Sequence, residues 1–413
     1  MKKLVITSFL LLFGMVTFCQ YHAQGWKQLS TVNGDIPIVN KGTQQTSSIV
    51  LDVDNDGINE FFITERTEAP SVVMYKFVDN KWNSFIIDNE LVKVEAGGTT
   101  WDVDNDGDLD VIFGGEGRSN QVWWWENPYP SYDVAIPWKR HFIKNSGAKK
   151  QHDQLFGDFD GDGKGELVFW NQRGLQLILA EIPEDPGNSQ EWEYFTIYEY
   201  GEDSQMYQRG NEDAPPFKKV NEHEGLAKAD IDLDGIEDIV GGGSWFKFKE
   251  GHKYVQNVVD GSYTFTRCIA GQFIEGGRPE VVMVTGEGKA PMVLYEWKKG
   301  AWYPKIILDE VIDGHSLEAV DFNNDGKLDI FNAEMRLNNG NPDAKCRILL
   351  GDGNGNFKDS VITTGFGNHQ SHIADMDGDG DLDILAKPYN WETPRIDIWI
   401  NNLTNQKINE QNN

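Results

Sequence analysis

The sequence predicts an all-β fold, a seven-bladed β-propeller whose ring is closed by the N-terminal strand. Three observations lead there: an acidic loop recurs six times, the copies fall roughly fifty or more residues apart, and a strand-like run near the N-terminus has no unit before it. The copies read DVDNDGINE from Asp52, DVDNDGDLD from Asp102, DFDGDGKGE from Asp158, DIDLDGIED from Asp230, DFNNDGKLD from Asp321 and DMDGDGDLD from Asp375. Each runs into an apolar, strand-like stretch (FFIT, VIFGG, ELVFW, DIVGG, DIFNA, DILAK).

The first aspartates step by 50, 56, 72, 91 and 54 residues. A gap of 91 is too long for one unit, and a degenerate copy fits inside it. In TRCIAGQFIEGGRPEVVMVTGE, Gln272 takes the place of the first Asp, while Gly277 stays at the turn and Glu280 in the final acidic place. Seven units of this period belong to a propeller or a solenoid. Each unit goes on to an outer strand with an aromatic and an Ile/Val-rich run, as in KWNSFIID, PWKRHFIKN, EWEYFTIYE and AWYPKIILD. The run GWKQLSTV matches that last strand, and the seventh unit stops early, after RIDIWINN. The strand around Trp26 is therefore expected to complete the last blade, leaving only short edges; a solenoid would need polar capping repeats, and the sequence has none.

Carboxylates at alternate positions converge in such a loop because glycine lets the chain fold back tightly. The expected ligands are Asp52, Asp54, Asp56 and Glu60; Asp102, Asp104, Asp106 and Asp110; Asp158, Asp160, Asp162 and Glu166; Asp230, Asp232, Asp234 and Asp238; Asp321, Asn323, Asp325 and Asp329; and Asp375, Asp377, Asp379 and Asp383. Hard oxygens in flexible geometry suit Ca2+, so up to six structural calcium ions are expected, with none in the fifth unit. An EF-hand is excluded, because the twelfth loop place holds Ile63, Phe113, Phe169, Gly241, Asn332 and Ala386 rather than Glu, and the flanks read as strands. Copies tens of residues apart also exclude a nonapeptide calcium helix.

On these loops and their period the chain resembles seven-bladed propellers of the FG-GAP/VCBS-repeat type over nearly all of its mature length. The resemblance implies the fold and the calcium loops. It does not imply a reaction, since the family includes adhesion-receptor heads, lectin-like domains, polysaccharide lyases and sugar-dehydratase domains.

Residues 1–19 read as a secretory signal, with Lys2 and Lys3 ahead of LVITSFLLLFGMVTF, and cleavage is expected before Gln20. Lipidation of Cys19 is disfavoured by Phe18. No later run is long and apolar enough for a spanning helix. A secreted, periplasmic or cell-surface protein is expected, with one propeller domain over residues 20–403 and a disordered tail over 404–413. Without the two signal lysines the formal charge of −29 becomes about −31, and the six loops carry 26 of the 66 acids. Six calcium ions would leave about −19, which disfavours nucleic acid and anionic membranes as partners. Cys268 and Cys346 fall in different blades and are expected to be buried thiols rather than a disulfide.

The strand before each loop begins at the opposite face. His152, His315 and His369 stand six residues before the first Asp of their loops and His223 seven, with Asp153, Glu224 and His372 beside them. Strand ends returning to that face carry Glu65 and Arg66, Glu116 and Arg118, Asn171, Gln172 and Arg173, Glu334 and Arg336, and Lys387, Tyr389 and Trp391. Three readings suit the cluster. Imidazoles with a carboxylate could hold a transition metal such as Zn2+. His and Tyr could act as base and acid in β-elimination from an acidic polysaccharide or a ketosugar, with cations on the sugar carboxylate. The face could bind sugar without chemistry, on Trp391, Tyr389 and Trp245.

The residue kinds favour elimination: His152, His315 and His369 as base or metal ligands, Tyr389 as acid, and Arg173, Arg336 and Lys387 as clamps. His223, Glu334 and Trp391 complete the expected binding surface. The alternative is a non-catalytic carbohydrate- or protein-binding propeller. Glu116, Glu224 and Glu334 could also serve a paired-carboxylate glycosidase, whereas a serine hydrolase lacks its G-x-S-x-G elbow. At Trp123–Trp125, packing between blades is expected to claim at least one ring and more readily two. GDGNGNF at Gly351 is expected to be a hairpin turn rather than a phosphate cradle. The acidic insertion through residues 201–222 is either a lid over the face or a plain long loop.

Overall fold

The computed structural model describes residues 21–131, 136–200 and 222–402, so the expected signal, the tail and residues 201–221 of the insertion lie outside the described residues. The described residues form seven antiparallel sheets, five of them laid down wholly in sequence order from the inside outward. In the first blade Gln45–Leu51, Glu60–Glu65, Val72–Val78 and Lys81–Asp88 pair in that order. The later inner strands are Thr99–Trp101, Gln151–Gly157, Leu226–Ala229, Thr266–Gly271, Ser316–Val320 and His372–Ala374. The chain is thus an all-β, seven-bladed propeller, and the seventh and first blades adjoin where the His372 Nε2 lies 3.0 Å from the Ser48 carbonyl.

The seventh blade takes its outer strand from the other end of the chain: Trp26–Ser30 pairs antiparallel with Asp397–Asn401, from Trp26 opposite Asn401 to Ser30 opposite Asp397. Tyr21–His22 pairs with Thr363 and Thr364 and adds a fifth strand to the sixth blade, which the sequence did not suggest. The degenerate fifth unit is a full blade, with Gly271 opposite Glu280 as Leu51 is opposite Glu60 in the first.

Second strands such as EFFITE and ELVFWN are buried along their whole length, because each sheet is covered by a neighbour on both sides and both faces of the pleat must be filled. The core lies between blades. Phe62, Val72 and Met74 of the first blade meet Phe113, Trp123 and Trp125 of the second, while Trp124, pointing the other way, meets Phe156, Leu167 and Phe169 of the third. All three tryptophans are fully buried, so packing between blades claims every ring and none is a sugar platform. Cys268 and Cys346 are free, buried thiols, and Gly351 pairs with Phe357 across a hairpin turn.

Candidate functional site

The acidic loops are shaped by their own backbone. The first Asp of each loop accepts two loop N–H groups: Asp52 accepts from Asp56 at 3.1 Å and Gly57 at 2.8 Å, and Asp158 from Gly161 at 2.8 Å and Gly163 at 3.0 Å. The last acid returns to the loop start, as Glu166 does on the Phe159 N–H at 2.8 Å and Asp110 on that of Val103 at 3.0 Å. Oxygens of Asp158, Asp160, Asp162 and Glu166 lie within 4.8 Å of one another, as do those of Asp102, Asp104 and Asp106. In the second loop Asp108 is 6% exposed, yet one carboxylate oxygen of it and one of Asp104 have no hydrogen-bond partner. Burial, then the neighbouring carboxylates, push Asp108 up to about 7; burial dominates at Asp110, up to about 8. Such crowding of oxygen acceptors fits a bound hard cation.

The loops differ in what meets the charge. Lys76 Nζ sits in the first, 3.0 Å from Asp54, 2.9 Å from Asp56 and 2.5 Å from Glu60. In the fourth, Lys247 Nζ lies 2.5 Å from Asp232 and also contacts Asp234. In the fifth, the Gln272 amide donates to the carbonyls of Ile274 and Gly276 in place of a first aspartate, while Glu280 accepts the Phe273 and Ile274 N–H groups at 2.9 Å.

At the opposite ends of the inner strands His152, His315 and His369 converge on the ring axis. The ladder slips between His152 and Gln154, and Asp153 at the slip has φ +45°. Such a bulge re-aims side chains, and here His152 and Asp153 bond each other, Nδ1 to Oδ2 at 2.6 Å. Gly97, at φ +99°, admits the Asp153 backbone: a Cβ there would stand 2.3 Å from the Asp153 Cα. Glu224 lies between two imidazoles, 3.5 Å from His152 Nε2 and 3.4 Å from His315 Nε2, and its Oε2 has no hydrogen-bond partner. The His315 and His369 rings stack at 4.1 Å, and Tyr389 follows at 5.1 Å from His369.

Arg267 ties the cluster together, with one amino group 2.6 Å from Asp153 and the other 2.7 Å from the His315 Nε2. Burial works against charge at His152, but Glu224 and Asp153 outweigh it and raise its pKa. Burial and then Arg267 push His315 down to about 4; burial, His315 and Lys387 hold His369 well below the usual range. Despite burial, Arg267 and His152 hold Asp153 low, and His152 and His315 do the same for Glu224.

A cavity of about 200 Å3 lies over this cluster, lined among others by Arg66, Glu95, Glu116, Lys150, His152, Arg173, Glu224, His315, His369 and Tyr389. Arg66 pairs with Glu95 at 3.0 Å and contacts the Tyr389 hydroxyl. Lys150 pairs with Glu222 at 2.5 Å, and the 59% exposed Arg173 lies 3.6 Å from the same carboxylate. His152, Glu224 and His315 present ligand atoms within 4.8 Å of one another, and Asp153 on the other nitrogen of His152 is the kind of partner that orients a metal-binding imidazole.

Six expected surface residues sit elsewhere. His223 is buried between Trp170 and Tyr200, at 4.9 and 4.4 Å, because glycine at 242 leaves room for its ring. Burial pushes its pKa down to about 4. Glu334 is buried with Arg347 at 3.2 Å and accepts the Lys345 N–H at 3.0 Å. Trp391 is 5% exposed, with the Arg336 and Arg395 guanidinium groups over its ring at 4.5 and 5.0 Å, so neither Trp391 nor Arg336 is presented as expected. Trp245, the other expected platform, lies in the core. Lys387 is fully buried, donating to the Gln45 carbonyl at 3.1 Å and lying 3.2 Å from His369 Nδ1; it stands behind the histidine rather than over the cavity. Arg267, Glu95, Lys150 and Glu287, the last also lining the cavity, were not foreseen. Arg267 is the second residue of the inner strand of the one blade without an intact loop, so no acidic loop marks where that strand begins.

Residues 277–331 and 337–386, running from the fifth blade into the seventh, match the FG-GAP-like repeat. The chain is a seven-bladed β-propeller carrying FG-GAP-like repeats. Among solved structures, BBS1N in complex with ARL6DN is similar at a TM-score of 0.52 and 9% identity, over 89% of this chain and 95% of that one. AofleA from Arthrobotrys oligospora follows at 0.44 and 12%, over 84% and 93%, and the V. cholerae biofilm matrix protein Bap1 at 0.40 and 9%, over 84% and 78%. At such identities the likeness is one of fold. No curated protein sequence matches.

Proposed function

We propose that the protein is an exported, calcium-stabilised propeller that acts on an acidic polysaccharide or oligosaccharide by β-elimination in the axial cavity. The observation that carries this reading is the row His315, His369, Tyr389, the two imidazoles stacked and the tyrosine ring tilted against the second, with Arg66 against the tyrosine hydroxyl in a cavity that also presents Lys150 and Arg173 among its glutamates. In β-elimination a base removes the proton next to the sugar carboxylate, the electron pair forms the C=C bond, and the glycosidic oxygen leaves with a proton.

His369 suits the base. Burial favours its neutral form and moves Lys387 toward the neutral amine, whose lone pair can accept a hydrogen bond from the Nδ1–H and leave Nε2 free to accept a proton. Tyr389 suits the acid, with Arg66 stabilising the phenolate that results. Arg173 and Lys150 at the rim suit the uronate carboxylate. His152, Glu224 and His315 would hold a divalent transition metal, which when bound supplies positive charge against the developing enolate. Calcium would fill the acidic loops on the far face as a structural ion.

The test is incubation of the purified protein with a panel of acidic polysaccharides, following the ultraviolet absorbance of an unsaturated uronate. Turnover is expected, falling at least a hundredfold in His369→Ala and Tyr389→Phe with melting unchanged in the latter. A flat trace across the panel, with glycan binding by calorimetry, would make this a non-catalytic carbohydrate-binding propeller.

A further inference from the structure

We infer that the loops from Asp52 and Asp230 hold a lysine ammonium where the remaining acidic loops take a calcium ion, so that the chain binds about four ions rather than six. The inference rests on the calcium reading of the loops and adds which of them are filled from within. The last acid of each loop opens the second strand, and the residue facing it on the third strand points into the loop. The ladders pair Phe61 with Tyr75 and Ile239 with Phe246, which brings Lys76 opposite Glu60 and Lys247 opposite Asp238. The same register places Glu126, Glu181, Leu350 and Ile400 at the corresponding places of the second, third, sixth and seventh blades.

Only the first and fourth blades therefore offer a cation at this position. An ammonium has three N–H donors, and Lys76 aims them at three acids of its loop, within 2.5–3.0 Å. A calcium ion binds the same oxygens at about 2.3–2.6 Å, so it would have to stand where the nitrogen does. Lys247 meets two acids and leaves one Asp232 oxygen without a partner, which makes the fourth loop the more easily refilled of the two. The second loop, facing Glu126, keeps unpartnered oxygens on Asp104 and Asp108.

The experiment strips the protein with chelator, re-equilibrates it with excess Ca2+, and counts calcium per chain by elemental analysis in the wild type and in the Lys76→Met, Lys247→Met double variant. About four ions are expected in the wild type and about six in the variant, whose melting temperature should then drop further on chelation than that of the wild type. Six ions in the wild type, or four in both proteins, would overturn the inference while leaving calcium in the loops. No ions in either would overturn the calcium reading and this inference with it. If methionine prevents folding, Lys76→Gln replaces it and is expected to gain one ion.

Discussion

Burial without a partner sets the charge of His223. Its pKa is pushed to about 4 against the ordinary 6.5, so between those values the unfolded chain takes up a proton that the folded one refuses. Stability from this group is fully present above about pH 6.5 and is lost as the pH falls toward 4, by about 2 kcal/mol at pH 5. His223→Phe, which keeps a ring between Trp170 and Tyr200, is expected to flatten that part of the acid limb in melts from pH 7 to 5; an unchanged slope would assign the acid sensitivity elsewhere. Arg267 is the opposite case. It is the counter-charge of a buried group, and Arg267→Met leaves Asp153 and Glu224 facing each other across His152. A loss of about 3–5 kcal/mol is expected in denaturant unfolding, whereas an active-site arginine without a structural part would cost turnover and little stability.

Loops and strands respond differently to the removal of an ion. The loops keep their turns through backbone hydrogen bonds to the first Asp, so chelation should leave secondary structure intact and lower the melting temperature by roughly 10 °C; an unaltered melt in excess EDTA would refute the calcium assignment. The loops were legible because a cage of side-chain oxygens needs fixed spacing within nine residues, and they carried the blade count with them, the degenerate fifth included. The His152, His315, His369 cluster was legible from the repeat register alone. What a side chain at the face does was not, because that depends on contacts between blades far apart in sequence. Nothing local to Trp391 announces two arginines over its ring, and nothing local to Lys387 says that it points inward beneath His369. The bulge at Asp153 is likewise a property of the ladder, not of the residues QHDQ taken alone.

For the whole molecule, the strand Trp26–Ser30 decides whether the seventh blade has three strands or four. Without residues 21–30 the strand Asp397–Asn401 would become an unprotected edge, with Trp399 and its neighbours losing cover. A truncated chain beginning at residue 31 is expected to self-associate in size-exclusion chromatography, and a synthetic peptide of residues 21–33 added in trans should restore the monomer; a truncated chain that stays monomeric and melts as before would show that the pairing contributes little.

The same pairing orders events during biosynthesis. The strand Trp26–Ser30 is made long before its partner Asp397–Asn401, an interval of 371 residues by the Ser30 and Asn401 positions. At roughly 5–20 residues per second the ribosome needs on the order of 20–75 s to span that interval. Through all of it Trp26 and Leu29 wait as an unpaired apolar segment of the nascent polypeptide. A chaperone that holds such segments would find its substrate there, and a synonymous change that slows elongation late in the message would lengthen the wait without altering a single residue.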